Sequence, residues 1–106
     1  ENERYKNTLN RAYYAIFHAI RAVNALSGFD SSKHSGVIAY FNQNYVRDGV
    51  FSKELSKIIK MASENREKAD YLDFFIASKE EAERQILRAK EFIDVIKIYL
   101  ENKEVL

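Results

Sequence analysis

NRAYYAIFHAIRA, residues 10–22, contains no glycine or proline, and its apolar positions repeat at helical spacing. On a wheel of about 100° per residue with Arg11 at zero, Leu9, Tyr13, Ile16, Phe17, Ile20 and Val23 fall between about 120° and 240°. These side chains predict the core-facing side of a helix from about Tyr5 to Ser27, stopped by Gly28 and the FDSS that follows. His18 lies about 20° from Arg11 and two turns, roughly 10 Å, further along, so the two polar residues share the side opposite the core. Ala15, Ala22 and Ala25 fill the stripe between and beyond them, Tyr14 stands about 60° from Arg11, and Leu26 lies near the end of this face.

A face of small residues lets another helix approach closely. Its candidate occupants are another helix of the same chain, an amino-terminal helix preceding Glu1, or the equivalent helix of a second subunit. The last would bring two Arg11/His18 pairs together. The plainer reading makes His18 a packing residue and Arg11 an ordinary surface or interhelical ion-pair donor. Composition and spacing leave both readings open.

Working outward, ENERYKNTLN leads into this helix, and the start at Glu1 without methionine suggests a missing preceding segment. After the FDSS turn, Ser31 or Ser32 can cap a second helix through HSGVIAYFNQNYV, with Val37, Ile38, Phe41 and Tyr45 at helical spacing and an end near Arg47. Ser52 can cap a third helix, continuing to about Ala69, whose stripe is Leu55, Ile58, Ile59 and Ala62. DYLDFFIA is expected to be an ordered loop packed back on the helices. Ser78 with Glu81 reads as a capping box opening a fourth helix, whose seam is expected at Ala82, Ile86, Ala89, Ile93, Ile96 and Leu100. Short connections between helices of this length predict antiparallel neighbours in an all-α, up-and-down four-helix bundle forming one domain over residues 1–106.

Composition agrees. The 106 residues include no proline, three glycines and one threonine, and the 46% hydrophobic and 31% charged content suits a single globular core. No apolar run reaches membrane length and no signal peptide is visible, so the expected setting is the cytoplasm without membrane contact. Zero cysteines exclude disulfides, thiolate metal sites and cysteine nucleophiles, and two histidines are too few for a histidine-rich metal site; carboxylate magnesium sites stay open, and no metal or other cofactor is expected. The net charge of +1 hides an asymmetry: residues 4–60 carry nine Lys or Arg against Asp30, Asp48 and Glu54, whereas residues 61–106 are net acidic. A basic half around the Arg11/His18 helix suits a polyanion, although an ordinary solvated surface explains the counts as well.

In order, NRAYYAIFHAIRA, KHSGVIAYFNQNYV, FSKEL, ENREKADY and SKEEAERQILRAKEFI resemble the HEPN domain family over nearly the whole chain. The resemblance implies a helical bundle that commonly dimerises, binds nucleotides or RNA, and in many members is a metal-independent ribonuclease acting as a toxin. Many such proteins pair with a minimal nucleotidyltransferase that serves as antitoxin; nothing points to DNA. The family's arginine and histidine map onto Arg11 and His18. The implied chemistry is coherent: histidine removes the proton of a ribose 2′-hydroxyl, and arginine stabilises charge on the phosphate oxygens. Cleavage then leaves a 2′,3′-cyclic phosphate, and a dimer can supply the second proton donor. The sequence departs from the toxin pattern at Ala12, where many active members carry a polar residue. Ile20 stands where toxins controlled by tyrosine adenylylation carry tyrosine.

Lys33 and His34, with Ser31 and Ser32, sit at the expected start of the second helix, where free N–H groups favour an anion. A phosphate can dock there, while simple capping explains the serines alone. Tyr14 is the aromatic best placed on the motif face for a base or interface contact. Tyr13 reads as core. Asp70 and Tyr71 resemble a family landmark but read as anchors of the following loop rather than as catalytic groups.

Overall fold

The structure, a computed structural model, describes residues 2–71 and 76–103. Among these residues it is all-helical: α1 (Asn2–Ala25), α2 (His34–Phe41), a π-helical turn (Asn42–Val46), α3 (Lys53–Tyr71) and α4 (Lys79–Lys103). The expected helical bundle is therefore the observed fold. α1 lies at its centre, packed against α2, α3 and α4.

The apolar sector of α1 explains this position. Leu9, Tyr13, Ile16, Phe17, Ile20 and Val23 are all buried, joined by Ala12 and Asn24. The Asn24 amide crosses to α2 and donates to the Val37 carbonyl at 3.0 Å, giving a buried polar side chain a partner. Gly28, at φ +74°, adopts the left-handed conformation that ends the helix and reverses the chain toward α2.

The start of α2 differs from expectation. Neither Ser31 nor Ser32 caps it; Lys33 occupies the N-cap and supplies no side-chain hydrogen bond. The serines serve the turn instead. The Ser31 N–H donates to Asp30 Oδ1 at 2.8 Å, and the Lys33 N–H donates to Ser31 Oγ at 3.1 Å. Short polar side chains bond local backbone readily, and here that competition favours the loop over the cap. The helix then loosens at its far end, where the Arg47 N–H reaches back five residues to the Asn42 carbonyl at 2.8 Å.

Ser52 caps α3 through the Glu54 N–H, and Leu55, Ile58, Ile59 and Ala62 are buried as expected. Ser78 accepts from the Glu81 N–H at 3.0 Å and opens α4. The Glu81 carboxylate accepts from Asn65 of α3 and Gln85 of α4 and pairs with Arg84. Burial pushes the Glu81 carboxyl upward, but these hydrogen bonds and the nearby Arg84 together hold it below its ordinary range.

The buried side of α4 is rotated from the expected seam. Ala82, Gln85, Ala89, Phe92 and Ile96 are buried, whereas Ile86 is 37% exposed and Ile93 and Leu100 are half-buried. Phe92 sets this register by packing against Phe41 of α2, beside an aromatic group of Tyr45, Phe51 and Tyr99.

The Asn2 side chain accepts from the Ala77 N–H at 2.7 Å, while Ala15 and Ala19 line one groove with Ile93 and Ile96. α1 and α4 therefore run in the same sense, so the helices do not alternate in the expected up-and-down order even though the bundle itself is as expected. α3 opposes α4, since Asn65 bonds Glu81 while Met61 meets Arg88. Of the stretch expected to form a loop, 70–77, residues 72–75 lie outside the described residues. α3 extends through Tyr71, Ile76 is 79% exposed, and Ala77 is buried.

Candidate functional site

Arg11 and His18 are both exposed on α1. Seven residues of α-helix separate them by roughly 10 Å along the axis. Neither makes a hydrogen bond or ion pair among the described residues, in contrast to Arg21, which grips Asp30 at 3.1 and 3.2 Å. That grip, after the Ser31 N–H, holds the Asp30 carboxyl below its ordinary range.

His18 borders a groove of about 480 Å³ between α1 and α4, whose other walls are Ala15, Ala19, Ile93, Ile96, Lys97, Leu100 and Glu101. The alanine stripe is thus only partly covered within the chain. α4 flanks Ala15 and Ala19, while Ala22 and Ala25 are exposed.

On its other flank α1 meets a cluster that draws on three helices. Tyr14, half-buried, stands with its ring 6.3 Å from His18 and edge-on to His34 at 5.8 Å. His34, the first residue of α2, lies over Phe17 with ring centroids 4.1 Å apart, and its Nδ1 is 3.1 Å from the Tyr13 hydroxyl. Burial pushes the Tyr13 phenol above its ordinary range, against the pull of the Arg66 cation, so it keeps its proton at neutral pH.

The structure thus brings Tyr14, His18 and His34 together. Lys33 is exposed and Arg11 stands apart, neither making a hydrogen bond, ion pair or ring contact with that group.

Arg66 of α3 completes the cluster and was not singled out by the sequence reading. Its guanidinium lies 5.1 Å from the Tyr13 ring centroid and 5.5 Å from that of Tyr14, within cation–π range of both. It donates to the Tyr14 hydroxyl at 3.3 Å and pairs with Asp70 at 3.2 Å. Asp70 therefore anchors Arg66, while Tyr71 is 71% exposed and anchors nothing described. The missed signal is positional: Arg66 lies four residues beyond Ala62 and seven beyond Ile59, on the continuation of a buried stripe.

The two departures from the toxin pattern also acquire positions. Ala12 is 6% exposed and Ile20 is fully buried, so both face the core rather than the Arg11/His18 side. Among the described residues no three His, Cys, Asp or Glu side chains converge as a metal site.

The HEPN domain description matches residues 1–99, nearly the full chain. The chain belongs to the HEPN family. Among curated relatives of this HEPN protein, a UPF0332 protein of Thermotoga maritima is 36% identical over 102 residues, covering 96% of this chain and 77% of that one. Putative toxin MJ0605 of Methanocaldococcus jannaschii is 39% identical over 106 residues, covering 100% and 77%. Putative toxin MJ0142 of the same organism is 30% identical over 105 residues, covering 99% and 71%. No solved structure matches.

Proposed function

We propose that this HEPN protein is a metal-independent ribonuclease of the toxin type, binding RNA across a homodimer that brings two Arg11/His18 pairs into one cleft. The observation that carries this reading is that Arg11 and His18 stand exposed on one side of α1 and serve no hydrogen bond or ion pair among the described residues. The toxin names of two relatives support the biological role.

The chemistry needs no metal. Unprotonated His18 takes the 2′-hydroxyl proton, and Arg11 neutralises charge growing on the non-bridging phosphate oxygens. The 2′-oxygen attacks phosphorus, and the bond to the 5′-oxygen breaks. In EDTA the parent protein is expected to cleave RNA, and Arg11→Ala or His18→Ala to lose about 10²–10⁴-fold in rate. Folded variants that cleave as fast as the parent would sink the proposal.

A second reading draws on the apolar part of the same groove, Ile93, Ile96 and Leu100 beside His18. It makes the chain a non-catalytic module that binds a nucleotide or a minimal nucleotidyltransferase there. His18-dependent binding without any cleavage would select this reading.

A further inference from the structure

His18 shares its groove with a cation that the chemistry set out above does not use. Lys97 of α4 lines the same space between α1 and α4, is exposed, and makes no hydrogen bond or ion pair among the described residues. A lysine without a partner is ordinary on an open surface, so the place of this one decides its meaning. It stands on the lip of an apolar hollow whose floor is Ala15 and Ala19 from α1 with Ile93, Ile96 and Leu100 from α4.

The hollow measures about 480 Å³, inside the range of roughly 300–1,000 Å³ typical of pockets for small organic ligands. An apolar floor with a few polar groups on its lip suits a flat, partly apolar body that carries a negative charge. A nucleotide has that form: its base presents two apolar faces, and its phosphate attracts a cation.

The groove also lies to one side of the face proposed for the two-fold contact. On the α1 wheel Ala22 and Ala25 fall at about 20° and 320° from Arg11, on either side of His18 at about 340°. Ala15 and Ala19 fall at about 40° and 80°, turned toward α4. A second subunit seated on Ala22 and Ala25 therefore has the groove on its flank.

We infer that this groove seats one nucleotide of the RNA beside the cut, with the base on the aliphatic floor and Lys97 on its phosphate. This rests on the reading of the protein as one that takes RNA at His18, and it adds the contacts that hold the strand there. Lys97 is a binding residue in this scheme and moves no proton.

The opposite charge on the same lip supplies an internal control. Glu101, one turn further along α4, is exposed and makes no hydrogen bond or ion pair among the described residues. Its carboxylate repels the phosphate that Lys97 attracts, so neutralising the two residues should move affinity in opposite directions. A merely structural role for the lip would not give that difference in sign.

The test is fluorescence anisotropy with a short single-stranded 2′-O-methyl RNA of mixed sequence, which lacks the attacking hydroxyl and stays intact. At low salt Lys97→Gln is expected to bind about three- to tenfold more weakly than the parent. The slope of log affinity against log salt should shrink by about 0.7, the value for one phosphate contact on a single strand. Lys97→Arg should stay within about twofold of the parent, and Glu101→Gln should bind as tightly or up to about threefold tighter. Ala15→Leu fills the floor and should weaken binding by about fivefold or more. On cleavable RNA, Lys97→Gln should raise KM and leave kcat near the parental value.

A parental salt slope in Lys97→Gln, a loss in Glu101→Gln equal to that in Lys97→Gln, or full binding by folded Ala15→Leu would overturn the assignment while leaving the ribonuclease reading intact. So would light scattering in which Ala15→Leu turns a parental dimer into a monomer, because a second copy then fills the groove. RNA that is bound in this Lys97-dependent way but never cut defeats the ribonuclease reading and leaves the groove assignment standing. A parent protein that binds no RNA defeats both.

Discussion

Arg66 shows how a single side chain can tie two helices together. It spans from the Asp70 carboxylate to the faces of Tyr13 and Tyr14, and those rings in turn border both histidines. Arg66→Met keeps much of the apolar stem but removes the cation and its donors. We expect a loss of about 1–2 kcal/mol in urea unfolding, with the midpoint falling and the slope unchanged. Removing the Arg66 charge also removes an influence that lowers the Tyr13 phenol, so absorbance titration of the variant should place that phenol higher than in the parent.

Glu81 gives a second residue-scale expectation. Its folded carboxyl titrates below the ordinary value of 4.5, so its contribution is present above that pH and is lost as pH falls through the folded value. Glu81→Gln should therefore be less stable than the parent at neutral pH, with the difference narrowing in thermal melts taken below pH 4.5.

Among the elements, α1 and α4 behave differently because their circumferences differ. α1 has one apolar sector and one sector of small and polar residues, so periodicity alone identifies its buried side. α4 is apolar over much of its circumference, with Leu87 and Ile98 about 60% exposed and Val95 40%. Periodicity then leaves its rotation undetermined, and the fit of Phe92 against Phe41 sets it. Phe92→Ala is expected to cost about 3–5 kcal/mol, and Ile86→Ala less than about 1 kcal/mol, in chemical denaturation. The reverse ranking would contradict this register.

The same contrast explains what was legible at the site. Arg11, His18 and Tyr14 lie on one regular helix, so the wheel places them. The contacts of His34 depend on a turn built from Asp30 and Ser31, and those of Arg66 on the antiparallel packing of α3. Neither follows from local spacing.

At the scale of the whole molecule, the uncovered part of the α1 face predicts self-association. Exposed Ala22 and Ala25 permit close approach, and a two-fold axis there would place Arg11 and His18 of both subunits along one cleft. Light scattering should report a dimer that Ala22→Glu converts to monomer; a parent protein that stays monomeric would remove the shared cleft.

The most direct test of the account is the chemistry of the cut ends. RNA incubated in EDTA with the parent protein should carry 2′,3′-cyclic phosphate and 5′-hydroxyl ends, and none above background should form with a folded His18→Ala variant. Products with 3′-hydroxyl and 5′-phosphate ends, or the same cyclic ends at the same rate from the variant, would contradict it.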